Sequence, residues 1–87
     1  MATFSVLVEV KLRPGIADPQ GSTIERSLPH LGFDGIVGVR VGKAIRFELE
    51  APDEESARAH ADEVCQRFLI NPVIEAADVT MTVVEAV

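Results

Sequence analysis

Phe4, Val6, Val8, Val10 and Leu12 place an apolar side chain at every second position, with Ser5, Glu9 and Lys11 between them and Leu7 the one exception. Period two is the side-chain repeat of a strand, so this stretch predicts a half-buried β-strand with one apolar face. Arg13-Pro14-Gly15 ends it. Two further stretches carry the same period. Val37, Val39 and Val41 followed by Ile45, Phe47 and Leu49 predict a hairpin over 36–50, and Val79, Met81 and Val83 predict a last strand over 75–85. In the hairpin, a two-residue loop at Gly42-Lys43 sets valines against the polar face of the returning strand. A three-residue loop, Gly42-Lys43-Ala44, pairs Val41 with Ile45 and Val39 with Phe47 and keeps both apolar rows together.

Two helices fall between these strands. Asp18-Pro19 is a helix start: the carboxylate accepts from free first-turn amides, and proline at the first helical position loses no hydrogen bond. Ile24, Leu28 and Leu31 follow on one face, and Gly32 suits the left-handed close. Pro29 predicts a kink or a loosened last turn. Asp53 with Glu54 and Glu55 opens a second helix, in which Ala57, Ala61, Val64, Cys65 and Phe68 form an apolar stripe. Asn71-Pro72 stops it. The order strand, helix, strand, strand, helix, strand predicts an α+β, ferredoxin-like βαββαβ fold, a four-stranded antiparallel sheet with two helices on one face. The opposite face, carrying Leu7, Glu9, Lys11, Arg46, Glu48 and Glu50, is left bare.

Eighty-seven residues make a single domain, 1–87, and the 47% hydrophobic content is that of a folded chain. So short a chain has a thin core, for which oligomerisation is a common remedy. A formal net charge of −6 argues against nucleic acid, and no apolar run approaches the roughly 20 residues of a membrane span. The open sheet face lacks the aromatic residues on which RNA bases stack. Met1-Ala2-Thr3-Phe4 does not begin a secretory signal, and the lone Cys65 suits a reducing, cytoplasmic compartment.

No catalytic set emerges. His30, His60 and Cys65 do not have metal-ligand spacing, Cys65 lies on an apolar stripe, and Glu54 and Glu55 suit the positive end of a helix dipole. Gly42-Lys43 is a fragment of a phosphate loop without the rest of its pattern. Other residues are left unexplained by local structure. Glycine in a first helical turn costs about 0.5–1 kcal/mol, so Gly21 beside Gln20 suggests a close approach by a partner. Arg40 and Lys43 make a cationic spot at the expected hairpin tip, explained either by turn chemistry alone or by contact with a partner or anion.

Asp18-Pro19-Gln20-Gly21, then Val39-Arg40-Val41-Gly42-Lys43, then Asn71-Pro72-Val73-Ile74-Glu75 stand in the order and spacing of the PurS family, which the opening Val8-Glu9-Val10-Lys11-Leu12 and the chain length also resemble. PurS is the small subunit of phosphoribosylformylglycinamidine (FGAM) synthase in purine biosynthesis. The resemblance implies a complex with a glutaminase, PurQ, which releases ammonia from glutamine, and an ATP-using synthetase, PurL. The synthetase phosphorylates the formyl amide oxygen of its substrate, and ammonia displaces the phosphate to give the amidine. It further implies a homodimer or homotetramer that bridges these partners, with no catalytic residue and no cofactor of its own, ATP and magnesium belonging to the synthetase. Gln20, Gly21, Arg40, Lys43, Asn71 and Glu75 are the expected partner-binding residues. Two alternatives share the order of elements, an ACT-like regulatory module that binds a small molecule and an acylphosphatase, although Arg13-Pro14-Gly15 is too short for the latter's phosphate loop.

Overall fold

A computed structural model describes residues 1–84. Strand β1 spans Ala2–Leu12, helix α1 Pro19–Ser27, strand β2 Lys43–Ala51, helix α2 Glu54–Val64 and strand β3 Glu75–Val84. Glu85, the expected end of the last strand, lies outside the described residues. The sheet is antiparallel in the order β2-β1-β3, with Val8 opposite both Ile45 and Val79, and Val6 opposite both Phe47 and Met81. The alternation in β1 therefore does what it predicts. Phe4, Val6, Val8 and Val10 are all buried, and Val8 has no exposed surface.

Helix α2 covers this apolar face. Asp53 caps it, its Oδ1 accepting from the Ser56 amide at 2.7 Å. Ala57, Ala61 and Cys65 are buried against β1 and β2, small side chains that let helix and sheet approach closely. The expected stripe fails at its last member. After Val64 the helix widens into a π turn, Cys65–Leu69, whose extra residue carries the Ile70 amide back to the Cys65 carbonyl at 3.1 Å. The rotation turns Phe68 out, 84% exposed, and brings Leu69 onto the core in its place.

The sheet among the described residues has three strands, and the expected hairpin over 36–50 does not form. Ile45, Phe47 and Leu49 pair with β1, while Val37, Val39 and Val41 pair with no strand. The reason is a competition for backbone donors. The Val39 amide is taken by Glu25 Oε1 at 2.8 Å and the Val41 amide by Asp18 Oδ2 at 2.7 Å. Gly38, at φ +72°, also turns the chain out of the extended conformation.

Helix α1 starts as expected at Asp18 and ends before Pro29, which opens a separate 3-10 turn, Pro29–Leu31, closed by Gly32 at φ +90°. It does not, however, pack on the sheet. Ile24 is 45% exposed and Leu31 70%. The second sheet face carries Glu9, Lys11, Arg46, Glu48 and Glu50, all exposed, with Lys11 paired to Asp78 at 3.0 Å.

Candidate functional site

The chain makes one polar cluster where it leaves β1 and enters β2. β1 ends at Leu12, and the next residue is tied across the molecule. The Arg13 amide donates to the Ile74 carbonyl at 2.8 Å, and its Nε donates to the Pro72 carbonyl at 2.9 Å. This brings the Asn71–Ile74 turn beside the start of α1.

Asp18 organises the cluster. It is only 7% exposed. Its Oδ1 accepts from the Gly21 amide at 2.9 Å and its Oδ2 from the Val41 amide at 2.7 Å, with Arg40 Nε 3.9 Å away. One carboxylate thus caps α1 and fastens the returning segment to it. The Gly21 and Val41 donors hold its carboxyl below the usual aspartate range, Arg40 adds to the shift, and burial opposes it without overcoming it.

Both glycines of the cluster are accounted for by the chain's own close approaches. A Cβ on Gly21 would lie 2.5 Å from the Val39 carbonyl oxygen and 2.6 Å from Asp18 Oδ2. The close approach expected at Gly21 is therefore made by residue 39 of the same chain. A Cβ on Gly42 would lie 2.5 Å from the Val10 carbonyl oxygen, so this glycine is required by the crossing onto β1, where the expected hairpin turn is absent.

Lys43 and Glu75 face each other over the sheet end, Nζ to Oε2 at 3.9 Å. The other oxygen of Glu75, Oε1, accepts from the Asn71 amide at 2.8 Å, and the Asn71 side chain accepts from the Val73 amide at 3.1 Å. Asn71 thus shapes the turn that presents Glu75. Between these groups lies an open hollow of about 380 Å³, with Val10 and Leu12 as apolar lining and Asp18, Gln20, Lys43 and Glu75 as polar lining.

The six residues selected from sequence come together at this one end. Gln20, Lys43 and Glu75 line the hollow, Gly21 and Arg40 touch Asp18, and Asn71 holds Glu75. Two contacts go beyond the sequence reading: Asp18, expected as a helix cap, also accepts from the Val41 amide, and Glu25 accepts from the Val39 amide. Glu25, almost two turns into α1, is a second acid on this short helix, and it takes the Val39 amide as Asp18 takes that of Val41.

Chemically the hollow offers charges and hydrogen-bonding groups. Lys43 is paired only at long range, with its side chain 56% exposed, and Gln20 is exposed at the rim. Cys65 sits under α2, away from the hollow, and burial pushes its thiol above the usual cysteine value. Among the described residues, no three His, Cys, Asp or Glu side chains are grouped to hold a metal ion.

Fold and site together define a two-layer α+β domain, open on one sheet face, that presents an ion-paired hollow at the end of its sheet. Comparison with known proteins makes this specific. The family model for PurS, phosphoribosylformylglycinamidine (FGAM) synthase, matches residues 5–83. The chain is 42% identical over 73 residues to the Synechocystis phosphoribosylformylglycinamidine synthase subunit PurS, covering 84% of this chain and 73% of the relative. The PurLQS structure from Thermotoga maritima superposes with a TM-score of 0.87 at 34% identity, covering 94% of this chain and all of the matched one. PurS of Methanocaldococcus jannaschii, a subunit of formylglycinamide ribonucleotide amidotransferase in the purine biosynthetic pathway, superposes at 0.84 with 32% identity over 94% of this chain and 99% of its own. The chain belongs to the PurS family.

Proposed function

We propose that this chain is the non-catalytic small subunit of FGAM synthase, a C–N-forming ligase of purine biosynthesis, and that it joins the glutaminase PurQ to the ATP-dependent synthetase PurL and supports ammonia transfer between them. The observation that carries this reading is the convergence of Gln20, Lys43 and Glu75 on one polar hollow, with Arg40 beside its Asp18, in a chain of this family. The physical need is clear. Ammonia released into water is protonated, and ammonium has no lone pair with which to attack the activated substrate. A protein wall that excludes water between two active sites keeps the nucleophile neutral. A subunit can serve this purpose by shape and docking alone.

On this reading the chain holds no cofactor, ATP and magnesium being bound by the synthetase, and it works in the cytoplasm as a homodimer or homotetramer. No helix of the described residues is long and apolar enough to cross a membrane.

The test is reconstitution. Added to purified synthetase and glutaminase subunits, the chain is expected to raise glutamine-dependent FGAM formation, and to show no turnover alone. Failure to raise it sinks the proposal. Arg40→Ala and Lys43→Ala are expected to weaken complex formation on gel filtration. Unchanged elution of the complex removes these two residues from the interface.

A further inference from the structure

The hollow at the sheet end has a marked chemical character. Its apolar lining comes from Val10 and Leu12 of β1, Pro19 at the start of α1 and Val41 of the returning segment. Its charged lining is Asp18, Glu75 and Lys43, two carboxylates against one ammonium.

The two carboxylates are not equivalent. Asp18 has both oxygens engaged, by the Gly21 and Val41 amides, and adds only negative potential. Glu75 has capacity left. Its side chain is 18% exposed, and the Asn71 amide fixes it in place through Oε1 at 2.8 Å. Oε2 faces Lys43 Nζ at 3.9 Å, beyond the roughly 3.2 Å reach of a hydrogen bond. A carboxylate largely withdrawn from water is compensated only in part by so long a pair. The Lys43 side chain, 56% exposed, keeps its hydration and its freedom to move.

A guanidinium group fits what is left over. The methylene stem of an arginine lies along apolar surface while its head stays with polar groups. Its fork of N–H donors reaches a carboxylate oxygen directly. The exposed Gln20 carboxamide at the rim offers a further acceptor. The hollow, about 380 Å³, has room for one such side chain. An anion is a poorer occupant, because it would gain Lys43 but meet both Asp18 and Glu75.

We propose that the hollow receives an arginine side chain of a partner protein, which takes Glu75 Oε2 from Lys43. Lys43 then turns to the rim and pairs with an acidic group beside that arginine on the partner. One long ion pair within the chain is exchanged for two across the interface. A desolvated arginine seated in a pocket is also the kind of contact that dominates protein interfaces. The inference rests on the reading of the chain as the subunit that joins PurL to PurQ, and it names the chemistry that one of them brings to the hollow.

The first test needs neither partner. Backbone amide signals of the full chain are followed by nuclear magnetic resonance during titration with arginine amide, and separately with norleucine amide, at constant ionic strength. Arginine amide is expected to shift Gln20, Val41 and Glu75 to saturation, and norleucine amide, an apolar stem without the guanidinium, to leave them unchanged. Glu75→Gln keeps an oxygen for the Asn71 amide and is expected to abolish the saturation. Lys43→Met removes the competing ammonium but keeps its stem, and is expected to tighten arginine amide by about two- to fivefold. No saturation, an equal response to norleucine amide, or weaker binding by Lys43→Met overturns the proposal. The second test uses purified PurL and PurQ. Glu75→Gln is expected to weaken the complex by at least about tenfold, with the chain's own oligomeric state unchanged in light scattering. A complex as tight as the parent's overturns the proposal, and so does a changed oligomeric state, which would seat a second copy of this chain in the hollow. If the parent chain itself forms no complex, the bridging reading fails, while the titration still decides whether the hollow takes a guanidinium.

Discussion

Gly21→Ala separates the tertiary role of this glycine from its helical one. In an ordinary exposed helix the change stabilises, because alanine is favoured over glycine by about 1 kcal/mol. Here the new methyl carbon would meet the Val39 carbonyl oxygen at 2.5 Å and Asp18 Oδ2 at 2.6 Å. Side-chain carbons do not sit closer than 3.0 Å to such atoms, so the separations must grow by at least 0.5 Å and 0.4 Å. Both obstacles are anchored, one as backbone and the other by its bonds to the Gly21 and Val41 amides. Crowding of this kind costs about 1–3 kcal/mol, which at least cancels the propensity gain and leaves a net loss of up to about 2 kcal/mol within α1 and the returning segment. The core does not feel it directly, since α1 does not pack on the sheet. Amide hydrogen exchange is the assay: a loss of this size corresponds to exchange faster by up to roughly 30-fold at Val39 and Val41, with β1 amides unaffected. A variant more stable than the parent, with Val41 equally protected, refutes the reasoning.

Three further outcomes follow from the geometry. Val8→Ala removes two methyl groups from the fully buried centre of β1 and is expected to cost about 2–3 kcal/mol, lowering the melting temperature by about 10–20 °C, to be read at fixed protein concentration. Asp18 has a carboxyl pKa below its ordinary value of 3.8 because the folded chain donates to its ionised form. Its contribution is therefore complete above the unfolded value and lost as pH falls through the folded one, so a titration of the Val41 amide signal is expected to show a midpoint below 3.8, and a midpoint at or above it contradicts the clamp. Cys65 is 1% exposed with its thiol pKa raised, so a disulfide reagent is expected to modify it in urea and at the rate of unfolding in buffer. Rapid reaction of the native protein would show that the π turn opens readily.

Much of this molecule is legible along the chain. The alternation of β1 identifies its buried row residue by residue. Asp18-Pro19 and Asp53-Glu54-Glu55 mark where both helices begin, because the capping carboxylate and the amides it satisfies lie within three residues of each other. The Asn71-Pro72 stop and the strand after it are equally local. The site residues are positions that caps and turns leave unexplained, and Gln20, Gly21, Lys43 and Glu75 meet because each lies in the first residues of an element that starts at the same end of the sheet.

Two expectations fail, one through a distant contact and one through a local change in the helix. Val37, Val39 and Val41 have the alternation of a strand, but alternation reports only which side of a segment is apolar. It does not say which acceptor takes the segment's amides, and here the takers are Asp18 and Glu25, 23 and 14 residues away. Phe68 continues a good helical stripe, but one extra residue in the last turn of α2 rotates it into solvent. By itself, then, the sequence determined the strand and helix inventory outside 36–42, the apolar rows, the family and the residues that gather at the sheet end. The tertiary structure alone decided that the sheet of the described residues has three strands, that α1 does not pack on its own sheet, and that Gly21 and Gly42 are held small by carbonyls of the same chain. Periodicity and capping act within one or two turns of the chain, whereas the competition for backbone donors and for apolar cover is settled between segments that only folding brings together.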